Sequence, residues 1–130
     1  MIMVSAKLGG RYMNTQLPSG LLAVQHRQID QGIEGIVDGT DESQALAASL
    51  RLLRNHLYLE EEALFPPLAE AGLTMPIFVM KREHGQMWPL IRSLEAACAA
   101  GASADDLRED ARVLLQLLKM HNPKEEQIVY

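Results

Sequence analysis

The sequence predicts an all-α protein: a single domain over residues 1–130, folded as an antiparallel up-down-up-down four-helix bundle. Three observations support this fold class. Four long segments repeat apolar residues at intervals of three or four, as the buried face of a helix requires. No segment shows the alternation of a strand or a hairpin signal. The predicted connections are short, so consecutive helices should be antiparallel neighbours.

The first two helices are predicted at about residues 21–37 and 41–64. The pair Asp38-Gly39 is a stop signal for the first helix, and Thr40 is the expected N-cap of the second. The second helix is expected to end at Pro66-Pro67, because proline lacks the N–H that a continuing helix needs.

The third and fourth helices occupy the C-terminal half of the sequence. Thr74 should cap the third, which runs to about residue 100 and ends at Gly101. The fourth starts at Ser103, where Asp106 completes a pattern like a capping box.

Composition and charge limit the classes of partner. The net charge of -5 argues against nucleic acid and anionic membranes, both of which need a basic surface. The single cysteine, Cys98, excludes an intrachain disulfide and suits a reducing compartment. No stretch approaches the length of a transmembrane helix, so a cytoplasmic protein is expected. A homodimer stays possible.

All four histidines are predicted to join two glutamates in one metal site. His56 and Glu60 are four residues apart, as are His121 and Glu125, so each pair lies on one face of its helix. His26 and His84 each stand alone in a helical segment. Glu61 and Glu62 are expected on a solvated face, while Tyr58 and Tyr130 are candidates for hydrogen bonds to the ligands.

The positions of the histidines along an antiparallel bundle support a single site. His56 lies about nine residues before the second turn and His84 about nine after it, so they should be level at about 1.5 Å of rise per residue. His84 and His121 are matched in the same way around the third turn. His26 and His56 differ in depth by less than about one helical turn.

Glutamate and histidine projecting into a bundle core are a known solution for paired iron or manganese. Imidazole and carboxylate suit iron, and also zinc or manganese. Two six-coordinate metals need about twelve positions, of which four imidazoles, two bridging carboxylates and a bridging oxide or hydroxide fill about ten. About one position per metal is left for a small ligand.

These motifs resemble the hemerythrin-like (HHE cation-binding) family, in its four-His, two-Glu branch. Single histidines on the first and third helices and HxxxEE on the second and fourth carry the resemblance. The surrounding words EEEALFPPL, KREHGQM and HNPKEEQIVY are similar too, so it extends from about His26 to Tyr130. The resemblance implies a non-haem di-iron centre, two irons with an oxo or hydroxo bridge, in which Glu60 and Glu125 bridge. The implied ligands are His26, His56, Glu60, His84, His121 and Glu125.

Two departures from the oxygen-carrying hemerythrins are visible. Those proteins have a fifth histidine one turn from the third-helix histidine, where this chain has Met80 and Trp88. They also space the last acid five residues after its histidine, which makes Glu126 an alternative to Glu125. The departures weigh against oxygen transport. The cysteine-pair domain of the iron–sulfur repair members of the branch is not recognisable either.

The function expected from the sequence is a di-iron protein that binds or reacts with O2, NO or peroxide in sensing, scavenging, storage or stress response. A di-iron oxidase or peroxidase and an iron–sulfur repair enzyme are alternatives that would use the same site. A third alternative is a metal-stabilised helical module that docks a partner. No catalytic residue apart from the metal ligands is legible, so an enzyme is not favoured.

Overall fold

The computed structural model describes residues 2–8, 11–17, 19–39 and 43–130, with side chains over 20–39 and 43–130. From Ser19 onward the described chain is helical apart from its turns, so the predicted all-α class is confirmed for this part. The helices are α1 (Ser19–Asp38), α2 (Ser43–Leu59), α3 (Phe65–Leu68), α4 (Thr74–Ala99) and α5 (Ala104–Lys124). The expected N-cap Thr40 lies outside the described residues.

Three five-residue π-helical segments join or extend these helices: π1 (Glu60–Leu64), π2 (Ala69–Leu73) and π3 (Glu125–Val129). Because π1, α3 and π2 follow α2 without a gap, the chain stays helical through Pro66 and Pro67, and the predicted stop there was wrong. The two prolines lie in the first turn of α3, where a missing N–H is tolerated. The helical path breaks instead at Gly72, whose φ of 111° favours glycine.

A β-hairpin precedes the helices. Strands β1 (Ile2–Leu8) and β2 (Arg11–Leu17) pair antiparallel, with Ile2 opposite Leu17 and Leu8 opposite Arg11. The expectation of no strand was therefore wrong for this segment. Neither strand sequence alternates clearly between apolar and polar residues, so periodicity carries no strand signal here.

The four long helices pack in a ring, because α1 contacts α2 and α5, and α4 contacts the same two helices. Ser103 caps α5 as predicted, since the backbone N–H of Asp106 donates to its Oγ at 3.2 Å. A stretch within Ser43–Ala99 is long and apolar enough to cross a membrane by length and composition alone. This range extends from α2 to α4 and includes Gly72, where the helix is broken.

Two separate apolar clusters fill the interior. The first includes Ile29, Leu53, Met87, Ile91, Leu114 and Leu118. The second consists of Leu22, Leu64, Phe65, Ile77, Met80 and Val129. Along the chain, each of the four histidines lies between a residue of one cluster and a residue of the other. His84, for example, lies between Met80 of the second cluster and Met87 of the first. The histidines therefore form a polar layer enclosed by apolar side chains above and below.

Candidate metal centre

Six buried side chains from four helices and two π segments converge in this polar layer. They are His26, His56, Glu60, His84, His121 and Glu125, each at most 4% exposed. Donor atoms of these residues form two groups, and within each group all the atoms lie within 4.8 Å of one another. The six are the residues that the sequence singled out, and the structure brings all of them together.

The two groups share both glutamates and differ in their histidines. Half-site A contains His26 and His56, whose ring centroids are 4.7 Å apart. Half-site B contains His84 and His121, with centroids 4.9 Å apart. In each half-site the Nε2 atoms of the imidazoles face the shared carboxylates.

Glu125 lies between the half-sites. Its Oε1 is 3.1 Å from Nε2 of His26, while its Oε2 is 3.1 Å from Nε2 of His121. The Oε1 of Glu60 is 3.4 Å from Nε2 of both His56 and His84, so it too faces both halves. Both carboxylates therefore face the imidazoles of both groups.

The alternative ligand Glu126 lies outside this layer. Its Oε2 is 3.7 Å from Nδ1 of His26, the nitrogen that faces away from the shared carboxylates, and its side chain is 37% exposed. The structure therefore places Glu125 among the imidazole Nε2 atoms and Glu126 behind one of the rings.

Two of the three π segments, π1 and π3, begin at the two glutamates. In π1 the backbone N–H of Phe65 donates to the carbonyl of Glu60, and in π3 that of Tyr130 donates to the carbonyl of Glu125 at 2.8 Å. Each bond spans five residues and widens the turn that follows a His-x-x-x-Glu pair. π-Helical turns occur mostly as single turns inside α-helices, and they are frequent at functional sites. The sequence carries a matching repeat, because HxxxEE recurs at His56 and His121, and Phe65 and Tyr130 follow their histidines at the same offset. The two π turns are the structural counterpart of this repeat.

Three of the outer imidazole nitrogens are held by side chains just outside the layer. Nδ1 of His56 is 2.8 Å from Oε1 of Gln25, and Nδ1 of His84 is 3.2 Å from Oε1 of Glu61. Nδ1 of His121 is 2.8 Å from Oε1 of Glu83, whose other oxygen accepts from Lys124. Such partners fix the ring orientation and raise the basicity of a metal-ligating histidine.

Tyr130 reaches into half-site A. Its hydroxyl oxygen lies 2.9 Å from Nε2 of both His26 and His56, and it donates to Oε2 of Glu60 at 2.8 Å. Tyr58 instead packs on Trp88 at 5.1 Å between ring centroids, with 48% of the residue exposed. Of the two tyrosines named from the sequence, only Tyr130 contacts the centre.

Positive charge at the imidazoles and negative charge at the carboxylates stabilise each other in this layer. Burial lowers the pKa of His84, but contacts with Glu125, Glu60 and Glu61 outweigh burial and raise that pKa to about 11. Burial likewise raises the pKa of Glu125, yet contacts with three imidazoles hold it well below its usual range. Without another cation, a proton on His84 balances negative charge of the buried carboxylates.

The donor set fits a pair of cations. Oε1 of Glu60 and Oε2 of Glu125 are buried and accept no hydrogen bond of good geometry among the described residues. The Nε2 atoms of His84 and His121 approach each other to 3.2 Å. Because Nδ1 of each ring faces a carboxylate and so carries the proton, both Nε2 atoms of the neutral imidazoles are acceptors, as ligation of a cation requires. Buried carboxylate oxygens without donors are costly, and cation coordination removes that cost.

The sequence missed the residues that support the ligands. Glu61, expected on a solvated face, contacts His84, and nothing in the sequence pointed to Gln25 or Glu83. The available signal was adjacency, because Gln25, Glu61 and Glu83 each stand one position from a predicted ligand. That adjacency is weak, since the neighbour of a buried helical residue usually faces a different side.

Comparison with protein families gives one match, which covers most of the chain. The model of the hemerythrin HHE cation-binding domain matches residues 17–130. No curated protein and no solved structure matches the chain. The match includes all six convergent side chains, and the paired groups of histidine and glutamate agree with a cation-binding domain. The chain therefore belongs to the hemerythrin HHE cation-binding domain family.

Proposed function

We propose that the chain is a non-haem di-iron protein that binds or reacts with a small ligand (O2, NO or peroxide) in sensing, scavenging or storage. The observation that carries the proposal is the pair of His/Glu groups that share Glu60 and Glu125. We further infer that α1, α2, α4 and α5 run up-down-up-down as an antiparallel bundle. Their ring of contacts and the shared depth of the histidines support this topology.

The number and kind of metal follow from the donor set. Two groups with two imidazoles each, joined by two carboxylates, suit two cations better than one, because Glu125 directs a different oxygen at each half-site. Mixed imidazole and carboxylate donors suit iron, with zinc and manganese as the competing cations. In bundle proteins this kind of inward-facing helical site is known for iron and manganese pairs.

A small ligand is favoured because the proposed ligands do not complete two octahedra. Four imidazoles and two bridging carboxylates supply about eight of about twelve positions. When bound, the metal pair supplies open positions and redox chemistry. The chain supplies the enclosure: apolar residues such as Met80 and Met87 flank the layer and exclude water. Glu61 and Glu83 hold the imidazoles of half-site B so that Nε2 faces the carboxylates.

The test is metal analysis combined with spectroscopy on the whole chain. We expect about two irons per chain after anaerobic loading with iron(II), and a change in visible absorption on adding O2 or NO. Glu60→Ala should lose both results, whereas Glu62→Ala is a matched control that keeps them, because Glu62 is exposed and contacts no proposed ligand. If the visible absorption of the fully loaded protein changes with neither gas, the small-ligand function is ruled out.

A further inference from the structure

The hydroxyl of Tyr130 lies at the centre of half-site A rather than at its edge. Its oxygen is within 3.2 Å of all four atoms that would donate to a metal in that half-site. These donors are Nε2 of His26, Nε2 of His56, Oε2 of Glu60 and Oε1 of Glu125. An oxygen surrounded in this way occupies the region in which these donors would surround a cation.

Hydrogen bonding alone does not account for this arrangement. A phenolic hydroxyl has one proton, so it donates to only one of the two carboxylates at a time. The second carboxylate oxygen, on Glu125, then faces the lone pairs of Tyr130 at 3.2 Å. A cation among these atoms would be attracted by all of them, including the phenolic oxygen, at bond lengths of about 2 Å.

Among the residues whose side chains the structure describes, none brings an equivalent oxygen to half-site B. The residue at the matching position of the sequence repeat is Phe65, whose ring packs on His84 at 5.4 Å between centroids. Phe65 and Glu61, which both contact His84, also line a surface cleft of about 150 Å³. The two half-sites therefore differ in one protein donor and in their proximity to a cleft.

We propose that Tyr130 supplies a seventh protein donor, its phenolic oxygen, to the metal of half-site A, so that the small ligand binds at half-site B beside Phe65. This inference rests on the proposed dinuclear centre. The phenolic proton is released to solvent when the cation binds, as other ligand protons are. With Tyr130 bound, the protein supplies about nine of about twelve positions, a bridging oxide or hydroxide fills about two more, and the remaining terminal position belongs to half-site B.

The first experiment detects the bond itself. The full chain is loaded with iron, oxidised to iron(III), and examined by resonance Raman spectroscopy in its visible absorption. We expect vibrations of an iron(III)-bound phenolate in the wild type and in Tyr58→Phe, and none in Tyr130→Phe at the same iron content. Loaded wild-type protein without these vibrations would overturn the role of Tyr130 and leave the dinuclear centre standing. Failure of the wild type to take up iron would overturn both.

The second experiment counts open positions with azide as the probe. Titration of the iron(III) protein should give one azide per pair of irons in the wild type and two in Tyr130→Phe. In Phe65→Tyr, a second phenol beside half-site B should weaken azide binding at least tenfold while the iron content stays the same. Equal azide stoichiometry in the wild type and Tyr130→Phe would overturn the proposed difference between the half-sites.

Discussion

Glu125 and Glu126 are neighbours in the sequence but have different surroundings. The carboxylate of Glu125 is fully buried between three imidazoles, while that of Glu126 is partly exposed behind the ring of His26. The sequence left both open as ligands, because the oxygen-carrying hemerythrins place the last acid five residues after its histidine, whereas this chain has an acid at four residues as well. The widened turn of π3 starts at Glu125, and it separates the two side chains.

Isosteric substitution at these two positions should separate their roles. Glu125→Gln removes a negative charge that faces both half-sites, so we expect the metal content to fall from about two to below about one per chain. Glu126→Gln is the matched control and should keep the wild-type content. Metal analysis after identical loading and desalting measures the difference. Equal metal loss in both variants would contradict the assignment of Glu125, rather than Glu126, as the metal ligand.

Asp30 is a second residue whose surroundings matter, although it contributes no donor to either half-site. Burial raises its pKa from 3.8 to about 6, more than the positive charge of His26 lowers it. Its nearest polar partner is Asn122, whose Nδ2 lies 3.5 Å from Oδ1 of Asp30. The Oδ1 of Asn122 is buried and accepts no hydrogen bond among the described residues.

Asp30→Asn should therefore stabilise the metal-free protein at neutral pH. A carboxyl whose folded pKa is raised contributes stability below pH 3.8, and that contribution is lost as pH rises to about 6. Removing the charge should recover about 1–3 kcal/mol at pH 7, and the new amide can donate to Asn122. Urea unfolding of both proteins at pH 4 and pH 7 measures this gain in the free energy of unfolding. A gain of the same size at both pH values would contradict the electrostatic cause.

At the scale of elements, the sequence predicted the helices better than the turns between them. The bounds of α1 and α4 and the start of α5 lie within about two residues of the expected ones, because long periodic segments and a cap such as Ser103 carry a strong signal. The π segments were missed because five residues with one altered bond leave the apolar spacing almost unchanged. Pro66 and Pro67 misled the prediction because proline ends a helix only where its N–H is needed.

The contact between α1 and α2 depends on a glycine. A methyl group at Gly32 would lie 1.7 Å from Oγ and 2.8 Å from Cβ of Ser49, and Ser49 itself is buried. Rotation of the hydroxyl would relieve the first clash but not the second. The helices must therefore approach each other at this point without a side chain on α1.

We expect Gly32→Ala to lower the free energy of unfolding by about 1–3 kcal/mol, since overpacking forces the two helices apart. Gly85→Ala is the control, because a methyl group there meets no atom within 4 Å and should be neutral or mildly stabilising. Adding Ser49→Gly to Gly32→Ala should restore part of the loss in a double-mutant cycle. If the loss at Gly32 is no larger than at Gly85, close packing does not set this contact.

At the scale of the whole molecule, the polar layer divides the interior into two apolar clusters, and its charges need a counter-ion. Metal that binds only the folded chain stabilises it by about 4 kcal/mol at a thousandfold excess over its dissociation constant. For a domain of this size we expect metal removal to lower the melting temperature by about 10 °C or more. Calorimetry before and after chelation measures the shift. An unchanged melting temperature would show that the metal does not support the fold.

The loss of metal should also make stability depend on alkaline pH. In the metal-free chain a proton on His84 balances the buried carboxylates, and its pKa is raised from 6.5 to about 11. Its contribution is fully present below pH 6.5 and is lost as pH rises toward 11. The free energy of unfolding of metal-free protein should therefore decline across this window, whereas the metal-bound protein should keep its stability because a cation replaces the proton.

Glu61 gives this prediction a matched control. Its carboxylate contacts Nδ1 of His84 and is one of the groups that raise the imidazole pKa. In metal-free Glu61→Gln the decline should be smaller and end at lower pH, because less negative charge faces the imidazolium and its folded pKa is lower. Glu62→Gln should follow the wild type, since Glu62 is exposed and makes no such contact. Urea unfolding at intervals between pH 6 and 10 measures the three curves, and a flat wild-type curve would mean that protonated His84 does not balance the buried glutamates.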